Sequence, residues 1–447
     1  MRGTIVVGAG MSGLVRAREL QRQGEDVALL ESSDRVGGLV RSREKDRFLL
    51  ELGPNTVRPT AELWSLVEEL GLREQTLLAD PRLPRYVSWN GTLHALPMSP
   101  AGLLRTRLLS AGGKLRLLAE PFARKGSDPE ETVHSFFSRR VGSEVADHFV
   151  EPFIGGIFAG SSRSLAVSAA FPTLDRWEKD HGSLFRGVLA HLRARRTGGP
   201  RPPRGLLSFR EGLQTLPEAI ASGLGRSLEL STPVQTLSPR PAGGWTVAIP
   251  GGSREARRVV LATPAWETAR LLEPFAPEAA RALRDIPHPF LAVVHLSWRD
   301  RDLDRPLQGF GHLTVPDRER RVLGAVWSSS LFAGRAPSGQ TLVTAFLGGE
   351  RDKEASELTD EEIRMIASRE VGQALGAHGE PEMILLTRYS RSIPQYVAGH
   401  AARIETLSRT EARFPGLALI GNYRGGISVG DVVRGAMLPK AGADESS

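Results

Sequence analysis

The chain has 447 residues, 40% hydrophobic and 24% charged, which is a globular composition and too long for one ordinary core. It contains no cysteine, which excludes disulfides, iron–sulfur clusters, zinc-thiolate sites and a cysteinyl nucleophile together. The net charge of +7 comes from arginines spread along the chain and reads as a solvated basic surface, with no helix-turn-helix, RNA-recognition or zinc-finger signature beside it.

Met1-Arg2-Gly3-Thr4 leads straight into an apolar run, so no signal peptide is expected. No run of about 18 apolar residues predicts a transmembrane helix. Thr4-Ile5-Val6-Val7 reads as a buried parallel strand, Leu14 to Gln23 as a helix ended by Gly24, and Val27 to Leu30 as a second strand ending on Glu31. Together they make one βαβ unit. Thr60 to Leu70 predicts a helix capped by Thr60, with Leu63, Leu66, Val67 and Leu70 on one face and Gly71 closing it.

Tyr86 to Trp89, Asn90-Gly91 and Thr92 to Leu96 predict a hairpin, because Asn-Gly suits a type I′ turn. From Leu103 to Leu118 leucines alternate with Arg105, Arg107, Lys114 and Arg116. This is either an amphipathic basic helix lying on a membrane or an ordinary surface helix. Thr197 to Arg204 reads as an exposed link. Further strands are expected near Trp245–Ile249, Val259–Ala262, Leu291–Trp298, Val322–Trp327 and Ala418–Ile420, and the tail from Ala441 is expected to fray. No repeat is apparent.

Chemistry concentrates first at Gly8-Ala9-Gly10-Met11-Ser12-Gly13. The spacing is G-x-G-x-x-G, between a strand and a helix, with Glu31 at the end of the second strand. One glycine permits the tight turn, one lets backbone approach a pyrophosphate, and one lets helix and strand pack closely. The helix N-terminus faces the pyrophosphate, and Glu31 is placed for ribose hydroxyls. This predicts a dinucleotide. Asp34-Arg35-Val36-Gly37-Gly38-Leu39-Val40-Arg41-Ser42 follows, and a second Gly-Gly flanked by arginines points to FAD. Glu51-Leu52-Gly53-Pro54-Asn55-Thr56 is a rigid turn able to approach the flavin ring, or a plain loop.

Gly426-Ile427-Ser428-Val429-Gly430 fits the hydrolase elbow G-x-S-x-G, but that fold needs a histidine after the serine. The last histidine is His400, so the hydrolase is rejected in favour of a glycine turn opening a helix toward the flavin. The ten histidines are scattered without metal-ligand spacing, so no metal is expected.

Several stretches carry a closer resemblance. They are Gly53-Pro54-Asn55-Thr56, Asn90-Gly91 with Leu93 to Pro97, Gln308-Gly309-Phe310-Gly311-His312-Leu313, Ile393-Pro394-Gln395-Tyr396 with Gly399-His400, and Gly421-Asn422-Tyr423. In these the chain resembles the protoporphyrinogen oxidase family, within the monoamine-oxidase-like FAD superfamily. The resemblance implies an α/β fold: a Rossmann-type FAD-binding domain, a mixed-sheet α+β substrate domain and a mainly helical insertion. We expect FAD-binding parts at 1–84, 205–264 and 393–447, a helical membrane-associated region at 85–204, and a substrate domain at 265–392.

The resemblance further implies oxygen-dependent, six-electron oxidation of protoporphyrinogen IX with non-covalent FAD, three molecules of oxygen taking up the electrons. Cofactor contacts carry over to Gly8, Ala9, Gly10, Met11, Ser12, Gly13, Glu31, Ser32, Gly38, Leu39, Gly53, Pro54, Asn55, Thr56, Val234, Ile427, Ser428 and Val429. Substrate contacts carry over to Arg85, Phe310, Gly311 and Leu313, with Asn55 and Gly311 at the reacting centre. An apolar macrocycle with two propionates needs an apolar slot and a cation. Arg85 can pair with a carboxylate, though by its sequence alone it reads first as a solvent-facing strand arginine, and Phe310 and Leu313 are by default core. Gly311 lets the macrocycle approach its backbone.

Family members often carry an aromatic residue where this chain has Leu39, and the stretch 98–205 matches poorly. Coproporphyrinogen III oxidation, a flavin amine oxidase or desaturase, and a non-catalytic escort-type binding protein are the other readings. The expected location is cytoplasmic, or peripheral on the inner face of a membrane, with a homodimer left open.

Overall fold

The computed structural model describes residues 2–97, 99–194, 202–317 and 319–437. Most of the expected link at Thr197–Arg204 and all of the tail from Ala441 lie outside the described residues.

Two large sheets organise the chain. In the first, Arg2–Val7 lies between Val27–Leu30 and Gly252–Leu261, parallel to both. Leu228–Glu229 adds in parallel at one side, and Leu417–Leu419 pairs in parallel with the end of Gly252–Leu261. Thr236–Pro239 and Trp245–Ile249 complete an antiparallel meander at the other edge. Ile5 and Val6 are fully buried because helices cover both faces, the usual cause of continuous apolar strands. Met11–Arg22, Thr215–Leu224 and Val429–Met437 pack on one face. Ala265–Leu272, Pro277–Arg284 and His400–Arg413 pack on the other.

The second sheet runs Met383–Tyr389, Leu291–Arg299, Gln340–Gly348, Val322–Val326, Gly311–Thr314, Arg85–Trp89, Thr92–Ala95. Gly311–Thr314 and Arg85–Trp89 are the parallel pair in this sheet. Asp360–Leu375 covers one face through Ile363, Ala367 and Val371, and its start is fixed by a capping box between Thr359 and Glu362. The Asn90-Gly91 turn forms as expected, both residues having positive φ (49° and 77°).

Three expectations are corrected. The stretch Leu103–Leu118 is not one helix but two, Pro100–Arg105 and Ala111–Leu118. Between them Thr106 is extended and Leu108 and Leu109 are buried. Glu144 accepts from the backbone N–H (2.7 Å) and hydroxyl (2.5 Å) of Ser110, and Ser110 caps the second helix at Gly113. That anchor pulls the chain inward and restarts the helix. Second, the hairpin at 85–95 belongs to the second sheet and not to the helical region, because Arg85–Trp89 pairs with Gly311–Thr314. Third, the helices from 265 to 284 join the first sheet, since Ala265, Ala269, Leu272 and Leu283 share its core.

The helical region is fastened by a buried ion network. Arg140 is fully buried, with its Nε 2.9 Å from Glu120 and its Nη1 3.0 Å from Glu178. Glu120 also accepts from Ser183 and from the N–H of Leu184, which ties down the start of the helix Leu184–Ala194.

Candidate active site

The first turn is built as its glycines predict. Gly8 has φ +98°, outside the range of ordinary side chains. A Cβ on Gly13 would overlap the carbonyl oxygen of Gly8, so this glycine is a packing requirement. Gly10 differs: it has ordinary φ (−69°), and nothing lies within 4 Å of where its Cβ would stand. The helix Met11–Arg22 has no capping side chain and no acid in its first turn, so its leading N–H groups, at Met11, Ser12 and Gly13, are left for a ligand. It begins one turn earlier than expected because Gly10 serves as its N-cap.

Glu31 leaves the second strand and turns back. One carboxylate oxygen accepts from the N–H of Ala9 at 2.6 Å. The other accepts from Ser33 N (2.9 Å), Ser33 Oγ (2.8 Å) and Ser32 Oγ (3.3 Å). The Gly37-Gly38 segment closes over the turn: Gly37 N donates to Ala9 O at 2.9 Å, and a Cβ on Gly38 would be 3.2 Å from Gly10 Cα. Leu39 beside it is 47% exposed. Val234 reaches the same rim, where Thr232 N donates to Glu31 O (2.7 Å) and Arg270 holds Val234 O (2.8 Å).

The turn Gly53-Pro54-Asn55-Thr56 rests on this segment. A Cβ on Gly53 would overlap the carbonyl oxygen of Leu39. Asn55 Nδ2 donates to Gly53 O at 3.1 Å. The second sheet fixes the turn from behind: Tyr389 OH donates to Leu52 O (2.8 Å), and His295 Nε2 lies 3.1 Å from Glu51 O. His295 is fully buried, and burial pulls its pKa down to about 4, so it donates as a neutral ring.

Ile427, Ser428 and Val429 open the helix Val429–Met437. Ser428 Oγ accepts from Asp431 N and donates to Asp431 Oδ2 at 2.5 Å. The hydroxyl is thus occupied as a cap, which agrees with rejecting the hydrolase. Tyr396 braces the preceding turn, donating to Asn422 O (2.5 Å) and accepting from Gly426 N (3.0 Å).

Arg85 pairs in register with Gly311, and its guanidinium carbon lies 5.3 Å from the Phe310 ring centre. Among the described residues no ion pair engages this guanidinium, and Phe310 is half-buried. Gly311 has φ +140°, and a Cβ there would overlap Ala325 O. Its missing side chain is therefore filled by the neighbouring strand, not held open for a ligand as expected. Leu313 abuts the helix Glu151–Phe158, since a Cβ on Gly156 would run into its Cδ2.

Sequence reasoning missed Gly156, Leu323 and Phe346, which share this apolar face. The Gly155-Gly156 pair inside an apolar helix was the available signal. Among the described residues no group of His, Asp or Glu could hold a metal ion, and no helix is long and apolar enough to cross a membrane.

The fold and site are those of a flavoenzyme: a dinucleotide cradle roofed by a second sheet. The model of the flavin-containing amine oxidoreductases matches residues 11–437, and the chain belongs to that family. Within it, the similarity runs to protoporphyrinogen oxidases. The chain is 37% identical to the human one over 470 residues (97% of this chain, 96% of that one). It is 32% identical to the chloroplastic one of Nicotiana tabacum over 460 residues (97% and 83%). Its fold matches an Exiguobacterium protein provisionally assigned as a protoporphyrinogen oxidase, with TM-score 0.82 at 24% identity over 98% and 97% of the chains. It also matches a putrescine oxidase, with TM-score 0.67 at 18% identity over 98% and 97%. The cofactor is FAD, and the open space at Gly10, the uncapped helix start and the inward-turned Glu31 fit it.

Proposed function

We propose that the chain oxidises protoporphyrinogen IX to protoporphyrin IX, passing six electrons to three molecules of oxygen, which leave as hydrogen peroxide. The observation that carries this reading is the similarity to protoporphyrinogen oxidases along nearly the whole chain. When bound, FAD supplies the two-electron acceptor that oxygen then re-oxidises.

The protein's own part is positioning. Gly8 to Gly13 and Glu31 hold the dinucleotide, with Ser32, Gly38, Leu39 and Val234 along its rim. Gly53 to Thr56, and Ile427 to Val429 from the opposite side, frame the ring. Of the two residues expected at the reacting centre, Asn55 is kept there, while the space at Gly311 is taken by the neighbouring strand. Arg85 takes a propionate, and Phe310 and Leu313 flank the macrocycle. Holding a C–H against the acceptor lowers the entropic part of the barrier. No acid or base is assigned.

We further propose a peripheral seat on a membrane. On the helix Leu184–Ala194, Phe185, Val188, Leu189 and Leu192 form a stripe at i, i+3, i+4 and i+7, each more than 40% exposed. Leu115, Leu118 and Phe122 add exposed apolar surface on the elements that Glu120 ties to that helix.

The functional test is an anaerobic mix of holoenzyme with protoporphyrinogen IX, followed by air. The expected result is flavin bleaching, then porphyrin fluorescence with recovery of the flavin band. Oxidised flavin that ignores this substrate rejects the assignment.

A further inference from the structure

Two of the chain's four tyrosines lie close together in sequence, Tyr389 at the end of the strand Met383–Tyr389 and Tyr396 in the irregular segment after it. Their hydroxyls go to the two turns that the reading above places on either side of the flavin ring. Tyr389 donates to Leu52 O (2.8 Å), directly before Gly53-Pro54-Asn55-Thr56. Tyr396 donates to Asn422 O (2.5 Å) and accepts from Gly426 N (3.0 Å), so one hydroxyl closes the loop that ends directly before Ile427.

The segment that carries them is pinned along its backbone. Ser392 N donates to Pro289 O, Gln395 N to Pro287 O, and Ala166 N to Tyr396 O, each at 2.9 Å. Gln395 is fully buried, and its Nε2 donates to Phe158 O (2.7 Å), at the end of the helix whose Gly156 abuts Leu313. The ring of Tyr396 is buried and stacks on His400, with centroids 4.1 Å apart. Burial raises the pKa of both phenols, so both hydroxyls keep their protons and remain donors at neutral pH.

A turn that offers its backbone to a cofactor cannot spend those groups in a sheet, so side chains must fix it from behind. The fixing has chemical consequences. Hydride transfer needs the reacting atoms held about 3–3.5 Å apart and aligned. The start of the helix Val429–Met437 carries partial positive charge, which favours the negative charge that a flavin gains on reduction. Resting on the site reading above, we propose that Tyr389 and Tyr396 are positioning residues for the flavin. Tyr396 sets its reduction potential by holding the start of that helix against the ring, and Tyr389 sets its alignment by holding the Asn55 turn on the other side.

The test compares holoenzyme of the wild type, Tyr389→Phe and Tyr396→Phe in flavin content, visible spectrum, midpoint potential and steady-state kinetics. Each substitution removes one oxygen and keeps the ring. Both variants are expected to hold FAD and to lose kcat roughly 10-fold, with KM within about 3-fold of the wild type. Tyr396→Phe is expected to lower the midpoint potential, because the positive helix start draws back from the ring. Tyr389→Phe is expected to shift the visible band while its potential stays nearer the wild-type value. Ile427→Ala and Asn55→Ala, at positions the site reading puts beside the ring, should shift the visible band and serve as the reference. If they do, and both Phe variants keep the wild-type spectrum, potential and kcat, the role of the tyrosines is overturned and the site reading stands, whatever happens to the melting temperature. If none of the four variants shifts the band, both are overturned. A response in one Phe variant alone overturns the role of the other tyrosine. A Phe variant that fails to fold or to retain FAD overturns the role of that tyrosine too, since it then sustains the site without tuning it.

Discussion

Arg85 and Gly311 lie side by side on parallel strands, although they are far apart in the chain. That pairing places a guanidinium over the ring of Phe310, which packs on the small apolar cluster of Ala79, Leu331 and Phe332. Hydrogen bonds to charged groups contribute about 1.5–3 kcal/mol, so Arg85→Ala should raise KM for a propionate-bearing substrate roughly 10- to 100-fold. Flavin content and kcat should change little, because Arg85 braces no part of the cradle. Steady-state kinetics decides this, and an unchanged KM removes Arg85 from the substrate site.

Gly10 and Gly13 should fail in different ways when substituted. A side chain at Gly13 meets the backbone of Gly8, so Gly13→Ala should lower the melting temperature even without cofactor. At Gly10 a Cβ meets nothing within 4 Å, so Gly10→Val should lower the apoprotein melting temperature less than Gly13→Ala does and yet retain no FAD. Stoichiometric flavin in purified Gly10→Val would show that the pyrophosphate does not cross that point.

The contrast also shows what was readable in advance. The βαβ unit, the capped helix after Thr60 and the Asn90-Gly91 hairpin depend on local rules, and each stands close to where the sequence predicts it. The break at Thr106 was not readable, because Glu144, far along the chain, causes it. Nor could a sequence say that the 85–95 hairpin joins the second sheet, since only non-local pairing decides that.

Stability should fall on acidification. Burial lowers the pKa of His295, His312 and His400 from 6.5 to about 4; at His400 the charge of Arg403 adds to the effect. Above pH 6.5 these rings are neutral in both states, and the folded state suffers no penalty. As pH falls from 6.5 toward 4, the unfolded chain binds protons that the folded chain refuses, and stability is lost by about 1.4 kcal/mol per pKa unit per group. Glu51 and Glu370, raised by burial, act in the opposite direction, losing stability as pH rises past 4.5. His400→Phe keeps the stack on Tyr396 and removes one titrating ring. Its melting temperature should therefore fall less steeply than the wild type's between pH 6.5 and 4.5. Parallel curves would show that His400 is not a source of the acid sensitivity.

The apolar stripe on Leu184–Ala194 should govern membrane binding. Leu189 is 49% and Leu192 56% exposed, so replacing both with aspartate removes little from the core. Arg186 and Arg193 on the same helix favour anionic headgroups. The double variant Leu189→Asp with Leu192→Asp should lose at least 10-fold in co-sedimentation with phosphatidylglycerol vesicles. Its turnover of detergent-dispersed substrate should stay near the wild-type value, because the stripe lies outside the cradle and the apolar slot. If binding to vesicles is unchanged while the protein's sedimentation shifts from a larger to a smaller species, the stripe joins two copies of the chain, and the membrane assignment fails.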